Sequence, residues 1–175
     1  VFWAALPALM LHQLEEYVFP GGFLPWFNRG IFGSDSDKSP VSPTFAFVLN
    51  IVIGWPLFAA VGYFNLEQMW LVMPAMGILF VNAWFHIALS LAHNRYSPGT
   101  FTSIMITLPL TLYTFYYYVM TWEIGFRLLF ISVVTGLILH LLMLTVPREL
   151  IHAKQKRQER QSGAAHTTQS ELLKD

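Results

Sequence analysis

What most limits the fold of this chain is a succession of apolar runs of about 20 residues, the length a helix needs to cross a hydrocarbon core of about 30 Å. They fall at residues 2–18, 44–63, 69–93, 98–120 and 123–146. Breaks such as Phe19-Pro20-Gly21-Gly22, Asn65-Leu66-Glu67-Gln68 and Asn94-Arg95-Tyr96-Ser97 separate them. The expected fold is therefore all-α, a polytopic membrane helix bundle of about five transmembrane helices over residues 1–147. A basic polar tail at 148–175, partly disordered, is expected to follow. With 55% hydrophobic and only 11% charged residues, the chain is too apolar for an ordinary soluble domain.

Residues 19–43 read as a long connection whose Trp26, Phe27 and Arg29 have the mixed character of a membrane interface. Asp35-Ser36-Asp37 within it reads as a solvated turn. Pro56 predicts a kink in the second run, and Ser97-Pro98 predicts an N-cap and first helical residue for the fourth. Glu123 and Arg127, four apart, predict an ion pair on the fifth.

Zero net charge argues against nucleic acid as a partner, and the absence of cysteine excludes disulfides and thiolate ligands. Any metal must then be held by nitrogen and oxygen. The lysines and arginines gather on the connections that share a side with the tail, which assigns the tail to the cytoplasm and the N-terminus to the outside.

Against this apolar background His12-Gln13-Leu14-Glu15-Glu16 demands a reason, because a carboxylate inside a bilayer needs a partner, a cation or a water-filled cavity. On a helix His12, Glu15 and Glu16 share a sector of roughly 100°. In the third run Asn82, His86 and His93 fall within about 40° of one another. At about 1.5 Å of rise per residue, these groups, Asn50 of the second run and His140 of the fifth all lie toward the cytoplasmic end. His12, Glu15 and Glu16 are thus candidate acid/base groups. The candidate metal ligands are His12, Glu15, Glu16, His86, His93 and His140.

Asn50 and Asn82 are candidate supporting residues, with helix-packing hydrogen bonds as the plainer reading. His93 reads equally as a water-exposed edge residue, and His140 equally as a packing residue. Arg95 and Tyr96, beside the start of the fourth run, could hold an anionic headgroup or simply anchor a loop. The Tyr116 to Trp122 cluster reads as an aromatic belt, and His152 and His166 as surface residues.

His12-Gln-Leu-Glu15-Glu16, Asn82-Ala-Trp-Phe-His86 and Tyr96-Ser-Pro98-Gly99, in this order and at these separations, resemble the HXXEE-motif family of integral membrane proteins, over roughly residues 3–150. The resemblance implies that the motif residues form an active or metal site. It implies no particular activity.

The leading expectation is a metal-dependent membrane enzyme acting on a lipid-like or apolar small-molecule substrate at the cytoplasmic leaflet. Imidazole with carboxylate suits zinc, or alternatively iron, and hydrolysis is the preferred reaction. The alternatives are a metal-free acid/base isomerase or cyclase, and a proton-coupled small transporter or binding protein.

Overall fold

The computed structural model describes residues 1–121, 123–147 and Glu149. Helix α1 is Ala5–Tyr17, entered through a 3-10 turn at Phe2–Ala4. Helix α2 is Phe23–Phe32, bounded by left-handed glycines at Gly22 and Gly33. Helix α3 (residues 43–64) joins Pro43–Phe47, a π-helical stretch Val48–Gly54 and Trp55–Phe64. After the 3-10 turn Asn65–Gln68 comes α4, Met69–Ala92. Helix α5 (residues 100–120) joins Thr100–Thr102, a π-helical Ser103–Thr107 and Leu108–Met120. Helix α6 is Phe126–Pro147. Among the described residues there is no strand.

The long connection is not a plain loop, because residues 23–32 form α2. Phe23 and Phe27, one turn apart, are buried, Pro25 sits in the first turn where its missing N–H costs nothing, and Gly33 ends the helix. The segment after α2 is tied down by Asn28, fully buried, whose amide donates to the Asp37 and Val41 carbonyls and accepts from Val41 N–H. Asp37 takes Arg29 at 2.6 Å, so the acidic turn has a protein partner for its charge.

The kink expected at Pro56 takes the form of the wide π turn just before it, which absorbs the hydrogen bond that proline cannot donate. Helix α5 starts two residues later than Ser97-Pro98 suggested, with Gly99 as N-cap at φ 102°. Ser97 is drawn instead toward Ser90 and His86. Among the described residues Glu123 and Arg127 form no ion pair. Helix α6 begins at Phe126, so Glu123 lies outside the helix whose four-residue spacing would have joined them.

Residues 1–141 form one compact unit; the second, residues 142–175, is described only at 142–147 and 149, all helical. The expected tail at 148–175, with His152 and His166, otherwise lies outside the described residues, as does Trp122 of the aromatic belt. Within the first unit the apolar core joins Phe2, Ala5 and Leu9 of the N-terminal stretch to Phe58 and Val61 of α3. Val72, Met73, Ala75, Met76 and Leu79 of α4, Phe115 and Tyr118 of α5, Ile124, and Leu128 of α6 belong to it too. On α1 and α4 the core residues lie in the first half of the helix, and on α5 in its last part. The opposite parts of the same helices carry His12, Glu15, Glu16, His86 and Thr102, all buried. Apolar and polar burial are thus separated along the helix axes.

Helices α4 and α6 approach closely enough to forbid side chains where they cross. A methyl built on Gly77 would fall on the Ser132 carbonyl, and one on Gly136 on the Gly77 carbonyl. Among the described residues two stretches are long and apolar enough to cross a membrane, Pro43–Ala92 and Phe126–Pro147. The first, of 50 residues, is turned at Asn65, where φ is 45°.

The crossing generates a test. Gly77→Ala should lower thermal stability in detergent by about 1 to 3 kcal/mol, because backbone rather than a flexible side chain must yield. Gly30→Ala, on α2 with open space around it, should leave stability unchanged or raise it by up to about 1 kcal/mol. Equal melting temperatures for the two variants would contradict this packing.

Candidate metal centre

Helix α1 presents its polar residues to three neighbours: Gln13 and Tyr17 to α3, Glu15 and His12 Nδ1 to the start of α5, and Glu16 to His86 of α4. Gln13 turns to α3, accepting from Trp55 Nε1 at 2.7 Å and donating to Asn50 Oδ1 at 3.2 Å. Asn50 in turn donates to the Tyr17 hydroxyl and the Ala46 carbonyl, each at 3.0 Å. Asn50 therefore braces α1 against the π turn of α3.

Glu15 turns to the start of α5. Its Oε1 accepts from Gly99 N at 2.9 Å, Phe101 N at 3.0 Å and the Tyr96 hydroxyl, and its Oε2 from Thr102 N at 2.7 Å and Thr102 Oγ1 at 2.6 Å. A carboxylate offers about four lone-pair sites, so these donors leave it no capacity for a cation. Glu15 is the N-cap that α5 lacks locally: a negative charge on the free amides and positive end of a helix dipole, supplied from more than 80 residues away. Burial, and then the bond to Glu15, pushes the Tyr96 phenol up to about 12, so it remains a donor at neutral pH.

Glu16 turns to the histidines. Its Oε1 lies 3.0 Å from His86 Nε2 and 3.6 Å from His12 Nε2, and the three residues are at most 4% exposed. The rings of His12 and His86 meet edge to face at 4.7 Å. Neither Nε2 has a hydrogen-bond partner among the described residues, although both are buried. The ligand atoms of His12, Glu16 and His86 all lie within 4.8 Å of one another.

The hydrogen bonds around the rings explain why these nitrogens are bare. Thr102 Oγ1 has one proton, and its short contact to the Glu15 carboxylate is the charge-assisted place for it. The hydroxyl must then accept from His12 Nδ1 at 2.9 Å, which puts the proton of a neutral His12 on Nδ1 and a lone pair on Nε2. Glu15, Thr102 and His12 thus form a carboxylate-to-imidazole chain of the kind that would orient His12 as a metal ligand from behind. Ser97 Oγ stands 3.3 Å from His86 Nδ1 and plays the corresponding part there.

Space at this centre depends on Gly99. A Cβ there would sit 2.7 Å from His86 Cε1 and 2.9 Å from His12 Cε1. Glycine is required twice over, for the positive φ and for room to pack two imidazoles against the loop.

The other candidates lie elsewhere. His140 is buried on α6, but Nδ1 donates to its own Gly136 carbonyl at 2.8 Å and Nε2 faces Asn82 Nδ2 at 3.4 Å. Both nitrogens are engaged, and Asn82 with His140 forms an interhelical packing pair. His93, just past α4, is exposed and meets Trp26 edge on at 5.8 Å. Arg95 and Tyr96 line a cleft beside α2. Ser97 and Gly99 lie at the centre, as the motif resemblance implied, and Thr102, to which sequence reasoning assigned no part, lies there with them. The hydroxyls directly after Tyr96-Ser97-Pro98-Gly99 were the available signal.

The donor set fits a divalent ion. Two ligands each at 2.0 to 2.2 Å from a shared ion lie roughly 3.0 to 3.5 Å apart in tetrahedral or octahedral arrangement; the Glu16 to imidazole separations are 3.0 and 3.6 Å, and the three ligand atoms as a group lie within 4.8 Å.

The chain belongs to the HXXEE family, described as "Protein of unknown function with HXXEE motif", which matches residues 3–114. The match ends short of the 3–150 expected, leaving His140 outside it and all three quoted motifs within. No curated protein and no solved structure matches the chain.

The two adjacent glutamates should separate on substitution. Glu15→Gln should destabilise the protein by about 2 to 3 kcal/mol, since an amide replaces a charged acceptor at a crowded set of donors. Glu16→Gln should leave the melting temperature of metal-free protein within a few degrees of the parent. Thr102→Val should weaken divalent-ion affinity about 10- to 100-fold through His12. Melting curves and metal titrations of the three variants check all of this, and the same loss of stability from both glutamines would refute the division of labour.

Proposed function

We propose that this protein is an integral membrane metalloenzyme in which His12, Glu16 and His86 hold one divalent ion, and that it hydrolyses a lipid-like substrate at the cytoplasmic leaflet. The observation that carries the reading is the convergence of two bare imidazole nitrogens on one carboxylate oxygen, all buried. A buried carboxylate without a positive partner costs several kcal/mol, and a shared cation satisfies it and both lone pairs together.

Two histidines and a glutamate are a ligand set used by catalytic zinc, and equally by non-haem iron in a facial triad. Zinc with hydrolysis is the preferred form. Such an ion supplies Lewis acidity and an activated water at neutral pH. The chain's own residues supply the rest: Thr102 and Ser97 hold the rings, and Glu15 holds the loop that carries both. With Glu15 committed to α5 and Glu16 to the ion, neither motif carboxylate stands free as a general base.

The membrane setting is supported by how little the apolar helices bury. In the most apolar windows of Pro43–Ala92 and Phe126–Pro147 only 22% and 17% of residues are inside the protein. A soluble protein would bury such helices, whereas here Tyr63, Leu91, Phe126 and Phe130 are each about two-thirds or more exposed. A multi-pass arrangement with the tail in the cytoplasm follows from the charge distribution and carries the centre to the inner leaflet.

A second reading, metal-free acid/base catalysis, draws on the 3.0 Å approach of His86 Nε2 to Glu16, a pair that could exchange a proton. Metal analysis of protein purified in detergent separates the two. The expected result is one zinc or iron per chain, lost in His86→Ala. A chelator should lower stability by about 2.7 kcal/mol if the ion was present at 100 times its dissociation constant. Metal-free protein that melts unchanged with chelator would sink the metal reading.

A further inference from the structure

The proposed centre is closed, yet a cleft of about 670 Å³ lies against its outer wall. Trp26, Arg29, Asp37, His93, Arg95 and Tyr96 line it, with Pro98 at one side. A volume in this range accommodates a small-molecule ligand.

The charges of the cleft do not balance. Arg29 is compensated by Asp37 at 2.6 Å, but among the described residues no carboxylate lies within ion-pair distance of Arg95. His93 adds an imidazole set against Trp26. An uncompensated guanidinium beside a histidine is a set of donors for an anion.

The loop 96–98 joins this cleft to the centre through single residues. Tyr96 lines the cleft and donates to Glu15, Ser97 meets His86 Nδ1, and Pro98 returns to the cleft wall. On the other side Phe23, next to the cleft's Gly22, lies 5.1 Å from the His86 ring and stacks with Trp26. Around the cleft, Phe19, Leu91 and Phe101, each within three residues of a lining residue, expose apolar side chains.

We infer that this cleft seats the anionic headgroup, a phosphate or carboxylate, of an amphiphilic substrate whose apolar part lies along the exposed rim. The inference rests on the proposed function for its relation to His86, while the binding itself does not require the ion. Arg95 is the principal headgroup ligand, with His93 beside it, while the Tyr96 proton stays with Glu15.

The test is calorimetric titration of the full chain in a neutral detergent with dodecyl phosphate, dodecanoate, dodecanol, dodecyltrimethylammonium and inorganic phosphate. Saturable binding of at least one anionic amphiphile, at least about tenfold tighter than the neutral and cationic ones, is expected. Arg95→Gln should weaken it about tenfold or more and Arg95→Lys less, the charge being retained. Inorganic phosphate binding as tightly as dodecyl phosphate would overturn the amphiphile assignment. Equal binding of anionic and cationic chains, or an unchanged affinity in Arg95→Gln at an unchanged melting temperature, would overturn the site. Repeating the titration after chelation keeps the two ideas apart. Anion binding that survives in metal-free protein supports the cleft whatever becomes of the ion, and a metal-loaded protein that ignores all anions refutes the cleft alone.

Discussion

The Glu15 carboxylate is the interaction on which the site depends. A helix begins with amides that have no intrahelical acceptor, and when that start is buried something must accept from them. Here Gly99 has no side chain to do so, and Glu15 of α1 does it instead. The same contact draws Thr102 into place, and Thr102 orients His12. One buried acid thus joins two helices, ends a loop and sets the tautomer of His12.

Glycine and hydroxyl residues make that arrangement possible. Gly99 allows both imidazoles to lie on the loop, while Gly77 and Gly136 let α4 and α6 approach at the level of backbone. Along α5 the hydroxyls of Thr107, Thr111 and Thr114 bond to carbonyls of their own helix and are fully buried. Polar residues can therefore line a tightly packed helix with little unsatisfied hydrogen-bonding capacity.

Several elements were legible in the chain itself. The run 69–93 became α4 with an end differing by one residue, because its length and the Asn94 break leave little choice. The shared face of His12 and Glu16, four apart, follows from helical periodicity once the helix forms. Helix α2 was missed although its signals were present, since a ten-residue amphipathic helix between apolar runs looks like a connection when spans alone are counted. The late start of α5 was not readable, because Ser97-Pro98 is a good local start and only the distant Glu15 outweighs it.

Periodicity and composition determined that the chain is helical, that imidazoles and acids lie on particular faces, and that any ion must be held by nitrogen and oxygen. They did not determine which acid does what. Glu15 and Glu16 are about 100° apart on one helix, and a helical wheel gives both the same sector. The tertiary structure divided them, by setting the amides of α5 against one and the ring of His86 against the other. It also sent His140 to Asn82 and His93 to the cleft, because depth along a helix is a local property, whereas the neighbour a side chain meets is decided by packing.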